Sequence, residues 1–427
     1  MLLQLCDLIL VWPDDAGLRV RRGDIFIAEG IVRFDIPSRK PDRVIDCGGA
    51  VAMPGLVNAH HHIYSTLATG LDPGRPLHDF TGILRGLWWR LDRALNEEAV
   101  KLSALLAARD SLRHGVTTVF DHHVSVPFIE DSLHIIDDIL RGQGVGAVLC
   151  WEGSGRHGDA VYDRITRENL SFAADAGRGM LGLHASFTLS DRQLRRTANS
   201  GVGMPIHIHV AEGIADVEDT VKNYGCTIIE RLEAHDLLRP GSLLAHGCRL
   251  NNTELAMLSG RDVWLALAVE SNLNNALPPL DAASALAAGV RLCTGTDGMG
   301  GDVLRSWRAM FLQHRLLHSD PDSGFDVAAA MLLGGYSLKE FWGFPLGVRD
   351  GERADIAVFD YVPAGPVTSL NALGHLLYGL AGSAARWVVQ ADRITLDEGC
   401  PTAPLPDIYH RREVITRRLW KRFAKQE

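Results

Sequence analysis

The stretch PGLVNAHHH, residues 54–62, combines a short apolar run with three consecutive histidines. Successive side chains of a strand point to opposite faces, so His60 and His62 would share one face and His61 the other. Two imidazoles at this spacing can bind a single metal ion. The alternative is three histidines in a surface loop, so the stretch predicts a strand and offers a candidate metal site at its end.

The stretch is the first of eight similar runs, each followed by residues that favour a helix. Polar residues rich in His, Asp and Glu end most of these runs. Eight strand–helix units fit an α/β fold, a (β/α)8 TIM barrel, which typically takes about 250 residues and carries its chemistry where the strands end. The runs are residues 56–58, 116–120, 146–151, 180–183, 205–210, 243–245, 263–268 and 290–293.

The two ends of the chain have a different pattern, with short apolar strands separated by turns. Near the N-terminus these are residues 2–11, 25–28, 31–34 and 44–46, and near the C-terminus 355–359 and 387–389. This pattern predicts a composite β-sandwich domain built from residues 1–53 and 350–427. The barrel would then occupy residues 54–349.

Composition excludes several function classes. The 427 residues are 46% hydrophobic and carry a net charge of −9, which disfavours a nucleic-acid partner. Apolar runs are shorter than the roughly 20 residues a membrane helix needs, and the N-terminus lacks the basic region of a signal peptide. Seven scattered cysteines without a C-x-x-C pair favour a reducing, cytoplasmic location.

A second histidine pair lies in PIHIHVAE, residues 205–212. His207 and His209 would share a face, and His209 is nearer the strand end and therefore the better metal ligand. His207, one layer deeper, is better interpreted as a hydrogen-bonded core residue. Glu212 follows the strand, within reach of whatever a metal would activate, although a helix N-terminal carboxylate is the simpler alternative.

Two further residues are weak signals when taken alone. His246 closes the run LLAH and by itself is best interpreted as a core histidine. Asp297, in TGTDG, by itself is best interpreted as a turn aspartate.

In combination, these residues resemble the pattern of the amidohydrolase superfamily. HxH follows the first run, a histidine lies on each of the fifth and sixth, and an aspartate ends the eighth; four motifs in this order are far rarer than one. The closing segment GERADIAVFD, residues 351–360, also resembles the superfamily. Within the superfamily the chain resembles the cytosine deaminase, chlorohydrolase and guanine deaminase branch, and more narrowly it is similar to aminohydrolases of the SsnA type. This narrower resemblance rests on LWWRLDRALNEE (87–98), DHH (121–123), HIHVAEGIADVED (207–219) and ESNLNNA (270–276).

The resemblance implies a ligand set and catalytic roles. His60, His62, His209 and Asp297 would hold a divalent metal ion. Glu212 would transfer protons, His246 would polarise the water or the developing oxyanion, and Asp297 would accept a proton. The candidate substrate contacts are His184, Trp88, Tyr64 and Asn272. The sequence leaves open the roles of His122 and His123.

The lysine distribution predicts one metal ion per chain. Binuclear members of the superfamily bridge their ions with a carboxylated lysine, or occasionally a glutamate, at the end of the fourth strand. Here no lysine lies between Lys101 and Lys222, and the fourth run ends at His184. Glu152, after the third run, is interpreted as a pocket or structural residue. Three imidazoles and one carboxylate suit Zn²⁺, with Fe²⁺ as the alternative.

The sequence therefore predicts a metal-dependent hydrolase of carbon–nitrogen bonds other than peptide bonds, specifically an aminohydrolase or deaminase of a small heterocyclic amine. The same site could serve as a chlorohydrolase or a cyclic amide or imide hydrolase. A non-catalytic barrel that has lost its ligands is a third class, and the complete ligand set argues against it. By analogy with such barrels, we expect a homo-oligomer.

Overall fold

The computed structural model describes residues 1–14, 17–35 and 37–426. Among these residues the strands are β1 Leu2–Asp14, β2 Gly17–Ala28, β3 Ile31–Arg33, β4 Arg43–Pro54, β5 Leu56–His61, β6 Val116–His123, β7 Gly146–Trp151, β8 Leu181–Ala185, β9 Ile206–Val210, β10 Leu243–His246, β11 Trp264–Leu267, β12 Arg291–Thr294, β13 Asp355–Phe359, β14 Ala385–Gln390, β15 Arg393–Asp397 and β16 Cys400–Pro401.

Helices follow most of the central strands. They are α1 Phe80–Ile83, α2 Trp89–Ala94, α3 Glu97–Arg113, α4 Ser132–Gln143, α5 Asp159–Ala176, α6 Asp191–Ser200, α7 Ile214–Tyr224, α8 Ile228–Ala234, α9 Asn252–Leu258, α10 Val269–Asn274, α11 Ala282–Ala287, α12 Val303–His318, α13 Phe325–Phe341, α14 Ala372–His375, α15 Asp407–His410 and α16 Arg412–Phe423. Short 3₁₀ segments lie at Ile63–Ala68, Gly155–His157 and Ser186–Thr188, and π-helical turns at Leu84–Trp88 and Leu376–Leu380.

The central strands are parallel and form two sheets, in the orders β5-β6-β7 and β12-β11-β10-β9-β8. Two isolated parallel bridges connect these sheets, between Gly153 and Leu183 and between His61 and Asp297. The mixed α/β class with parallel strands and intervening helices is confirmed. A closed barrel stays a prediction, as do the domain boundaries.

The eight central strands lie where the apolar runs predict them, but β5 and β6 are longer than their runs. β5 continues to His61 and β6 to His123. The reason is that the polar residues ending these runs stay buried, and after a register shift beyond Asn58 the pairing resumes with His61 opposite Asp121. Sequence reasoning ends a strand at its last apolar residue, and here the strand continues through residues that face the interior.

Strands from both chain ends share one eight-stranded sheet, in the order β16-β15-β14-β13-β4-β1-β2-β3. β1 and β4 are parallel, and β4 pairs antiparallel with β13, so the N-terminal and C-terminal segments meet at this pair. The strands are apolar where they pack, and Leu3, Leu10 and Val51 are fully buried. The sandwich arrangement remains a prediction.

A fully buried lysine connects this sheet with the central strands. Lys339 of α13 donates from Nζ to Asp355 Oδ2 at 2.6 Å and to the carbonyl oxygen of Gly55 at 2.9 Å. The Thr117 hydroxyl also donates to Asp355 Oδ2, at 2.8 Å. These contacts join α13, β13, β6 and the residue that precedes β5.

None of the helices in the described residues combines the length and apolar character needed to cross a membrane.

Candidate active site

Four histidines converge where the parallel strands end: His60, His62, His209 and His246. In each of them Nδ1 lies within hydrogen-bond distance of a neighbouring residue. Nδ1 of His62 donates to the carbonyl oxygen of His122 at 2.7 Å, and Nδ1 of His209 to that of His184 at 2.8 Å. Nδ1 of His246 lies 2.8 Å from Asn272 Oδ1. Because a carbonyl oxygen can only accept, Nδ1 of His62 and of His209 carries a proton, so in the neutral form of each ring the lone pair is on Nε2.

These lone pairs face a common centre. Nε2 of His62 lies 3.1 Å from Nε2 of His209 and 3.1 Å from Asp297 Oδ1. Nε2 of His60 is 3.8 Å from the same carboxylate oxygen and, across the described residues, has no hydrogen-bond partner. Facing lone pairs beside a carboxylate repel one another unless a cation or proton lies between them, so this donor set fits a divalent metal ion.

Ligand atoms of His60, His62 and His209 lie within 4.8 Å of one another, as do those of His60, His246 and Asp297. A third group with the same spacing consists of His122, Glu152 and His209. In this group the Glu152 carboxylate already accepts from Arg156 at 2.7 Å.

The protonation states of the cluster follow from burial and from Asp297. Burial and the neighbouring imidazoles hold the pKa values of His60 and His209 well below the usual range, so both rings are neutral. Burial acts against the charged form of His62, but the hydrogen bond and charge of Asp297 raise its pKa to about 9. Burial likewise opposes ionisation of Asp297, and the His62 hydrogen bond and charge outweigh it and lower the pKa of that carboxyl.

His207 lies beneath this cluster, on the same strand face as His209. Its Nε2 is 2.8 Å from Nδ1 of His60, and its side chain is buried. This contact fixes the orientation of the His60 ring, so His207 acts through a proposed ligand rather than as one.

Glu212 lies two residues after the end of β9 and faces the cluster. One of its carboxylate oxygens is 3.7 Å from Nε2 of His246. Burial, reinforced by the negative charges of Asp297 and Asp216, raises the pKa of Glu212 well above its usual range. The raised pKa favours the protonated form of Glu212, which can donate a proton.

Two residues of the cluster have left-handed backbone conformations, which non-glycine residues rarely adopt. Asp297 has φ 54° and His246 φ 73°. The Ser271 hydroxyl donates to the Asp297 carboxylate, which further fixes that side chain. Backbone strain of this kind occurs preferentially at functional sites.

A cavity opens next to the cluster, and the space within it, including its open mouth, is about 490 Å³. Of the predicted substrate contacts, Tyr64, Trp88 and His184 line it. Asn272 instead lies against Nδ1 of His246, where it orients that ring, and the neighbouring Asn275 lines the cavity. The other described lining residues are His62, Phe80, Leu84, Trp89, Asp92, Glu152, Arg156, His209, Glu212, Asp297 and Gly298.

His122 and His123, the last two residues of β6, make internal contacts. Nε2 of His122 lies 3.0 Å from the carbonyl oxygen of Leu183, and Nε2 of His123 lies 2.8 Å from Ser125 Oγ. Both side chains are fully buried.

Sequence reasoning missed an ion-paired group in the cavity wall. Arg156 donates to Glu152 at 2.7 Å and lies 3.4 Å from Asp92, and its guanidinium stacks on Trp89 at 4.5 Å. Asp92 and Trp89 belong to the segment on which the narrower resemblance rests, and Glu152 was noted at the end of the third run. Nothing local in the sequence indicates that Arg156 joins them.

Comparison with protein families gives a match over residues 51–392 to the model described as the amidohydrolase family. A 5-methylthioadenosine/S-adenosylhomocysteine deaminase from Nitratidesulfovibrio vulgaris is 28% identical, with 97% of each chain covered. A 5′-deoxyadenosine deaminase from Methanothermobacter thermautotrophicus is 27% identical, with 90% of this chain and 91% of that protein covered.

Solved structures share the fold over nearly the whole chain. An adenosine deaminase from Xanthomonas campestris with bound zinc superposes with a TM-score of 0.81 at 21% identity, covering 99% of both chains. A mutant of atrazine chlorohydrolase from Arthrobacter aurescens, complexed with zinc and atraton, gives 0.79 at 22% identity, covering 98% of this chain and 100% of that one.

Proposed function

This chain belongs to the amidohydrolase family and is a hydrolase of carbon–nitrogen bonds, and we propose that it deaminates a heterocyclic amine at the cavity beside His60, His62, His209 and Asp297. The observation that carries the proposal is the position of Glu212, which lines the cavity 3.7 Å from Nε2 of His246 and whose pKa burial raises well above its usual range. Hydrolysis of an amine requires a proton donor for the leaving group, and Glu212 has the protonation state for that role.

His60, His62, His209 and Asp297 would hold one divalent ion, for which Zn²⁺ is the first choice and Fe²⁺ the alternative. Such an ion, when bound, supplies Lewis acidity that lowers the pKa of water to about 7. The zinc in related solved structures and the donor set described above support this assignment.

The chain's own residues then handle the protons. Asp297, ionised at neutral pH, accepts a proton as water adds to the ring carbon that bears the amine. Glu212 donates a proton to the adjacent ring nitrogen and, once reprotonated, to the departing amine, so that a carbon–oxygen bond replaces the carbon–nitrogen bond and ammonia leaves. His246 is held at Nδ1 by Asn272, and burial lowers its pKa, so its Nε2 is an acceptor that can polarise the attacking water by accepting a hydrogen bond from it.

The substrate class we propose is a purine-type or similar aromatic heterocycle with an exocyclic amine. Support comes from the relatives, whose names specify deamination of adenosine derivatives. The lining includes Trp88, Trp89 and Tyr64, and aromatic side chains of this kind suit a flat ring.

The test is ammonia release from a panel of adenosine derivatives, free purines and pyrimidines, aminotriazines, a chlorotriazine and a cyclic imide, using metal-loaded protein. Turnover of an amine that is lost in Glu212→Gln supports the proposal. Chloride release or ring opening without ammonia would replace it with the corresponding hydrolase. No turnover of any compound by protein that retains its metal would contradict it.

We further propose that the eight central strands close into a (β/α)8 barrel at residues 54–349, beside a composite domain of residues 1–53 and 350–427. The bridges Gly153–Leu183 and His61–Asp297, one at each junction between the two parallel sheets, support closure.

A reducing, cytoplasmic location is supported by the seven cysteines, all of them free in the described structure. A homo-oligomer is proposed by analogy alone, and gel filtration with light scattering tests it.

A further inference from the structure

Three charged residues of the cavity lining have no part in the proton transfers proposed above. We call Asp92, Glu152 and Arg156 the acidic wall. They come from α2, from the residue after β7 and from the 3₁₀ segment Gly155–His157. Asp92 and Glu152 are buried, with 2% and 4% of their surface exposed, so any charge on them is screened poorly. The neighbouring His184, His122 and Arg156 outweigh burial and lower the pKa of Glu152, whereas burial raises the pKa of Asp92 to about 7, so Asp92 is partly ionised near neutral pH.

Arg156 has its donors directed at protein groups. It donates to Glu152 Oε1 at 2.7 Å and to Ser154 Oγ at 2.9 Å, and it lies 3.4 Å from Asp92 Oδ2. One face of its guanidinium stacks on Trp89. Among the described lining residues Arg156 is the sole lysine or arginine, so an anionic substituent in the cavity would find no uncommitted side-chain cation there.

The wall nevertheless keeps an acceptor free. Oδ1 of Asp92 is buried and lacks a hydrogen-bond partner within the described part of the chain, although Asp92 lines the cavity. A buried acceptor without a partner is costly, and a bound N–H or O–H group would satisfy it. With two carboxylates and one guanidinium, the wall favours a hydrogen-bond donor or a cation over an anion.

We propose that the acidic wall determines substrate specificity: it accepts heterocycles whose substituent is a neutral hydrogen-bond donor or a cation, and it rejects those that carry a carboxylate or phosphate. The inference rests on the proposed function in one respect, because it takes the cavity as the substrate site. Specificity here comes as much from what the wall repels as from what it binds.

The experiment uses matched ligands that differ only in the charge of one group. Adenosine, 5′-amino-5′-deoxyadenosine and adenosine 5′-carboxylate form one series. Aminotriazines bearing hydroxyethyl, aminoethyl or carboxymethyl groups form a second. Binding is measured calorimetrically with full-length, metal-loaded protein carrying Glu212→Gln, so that turnover does not consume the ligand.

In at least one series we expect the anionic member to bind at least tenfold more weakly than the neutral one, and the cationic member to bind at least as tightly. Asp92→Asn and Glu152→Gln should each reduce this discrimination threefold or more, and Arg156→Gln should increase it. The matched control is Glu168→Gln, a buried carboxylate that accepts from the backbone of Asp131 and Leu133 outside the cavity lining; it should leave the ratios unchanged.

The ligand series needs no variant of the wall, so a wall variant that fails to fold leaves the test intact. Equal or tighter binding of the anionic members overturns the inference, as does a failure of every ligand to bind. Ammonia release without charge discrimination overturns the inference and leaves the proposed function standing. Charge discrimination without ammonia release from any compound supports the inference and overturns the proposed function.

Discussion

Glu212 carries two separable properties, its position beside the histidine cluster and its proton. Glu212→Gln keeps the size of the side chain and removes the transferable proton. We expect turnover to fall by a factor on the order of 10²–10⁴, the usual size of general acid–base catalysis, while the metal content stays unchanged. Elemental analysis and steady-state kinetics on the same preparation check this. Loss of the metal in the variant would make Glu212 a ligand instead.

The raised pKa of Glu212 also sets the sign of a pH effect. Because the protonated form is the donor, wild-type activity should decline as the pH rises through the pKa of Glu212. Lowering the pH through the same pKa should cause no loss of activity from this group.

His207 and His209 share a strand face, but replacing them should have different effects on metal binding and stability. His209→Ala removes a lone pair directed at the cluster, so metal retention should be abolished. His207→Ala removes the partner of His60 and leaves a buried space, so it should lower thermal stability first, by an amount corresponding to about 1–3 kcal/mol. Metal analysis and thermal unfolding of both variants measure this contrast. Equal metal loss with folding intact in both would contradict it.

At the scale of elements, the ends of the central strands position the residues of the site. One requirement is that β5 lies close to the end of β12. A Cβ atom on Gly295 would lie 2.7 Å from His60 Cβ and 2.9 Å from the His60 carbonyl oxygen, both closer than real contacts allow. Gly295→Ala should therefore displace His60 and reduce metal content well below that of the wild type. Gly142→Ala is the matched control, because a Cβ there meets open space. Wild-type metal content in Gly295→Ala would show that β5 can shift without loss of the metal site.

At the scale of the whole molecule, the buried Lys339–Asp355 pair holds the terminal sheet against the central strands. Removing one member leaves a buried charge without compensation, so Lys339→Met should destabilise the protein by about 3–5 kcal/mol. Chemical denaturation measures this effect. The double variant Lys339→Met with Asp355→Leu should recover much of the loss. An unchanged denaturation midpoint in the single variant would mean that the pair contributes nothing to the folded state.

The number of metal ions held by the whole chain can be measured directly. Protein purified without added metal should contain about one divalent ion per chain, and Glu152→Gln should leave that number unchanged because Glu152 is bound to Arg156. Two ions per chain in the wild type, falling to one in Glu152→Gln, would mean that His122, Glu152 and His209 form a second site.

The sequence by itself determined the α/β class, the positions of the eight central strands and the pairing of His60 with His62, because the period of two along a strand is a local property of the chain. Only the tertiary structure decided which carbonyl oxygens orient His62 and His209, that Asn272 serves His246, and that Arg156 joins Asp92 to Glu152. These contacts connect residues on different strands and helices, and Arg156 lies 64 positions from Asp92. Local pattern constrains only near neighbours in the chain, whereas hydrogen bonding and burial are fixed by packing between elements.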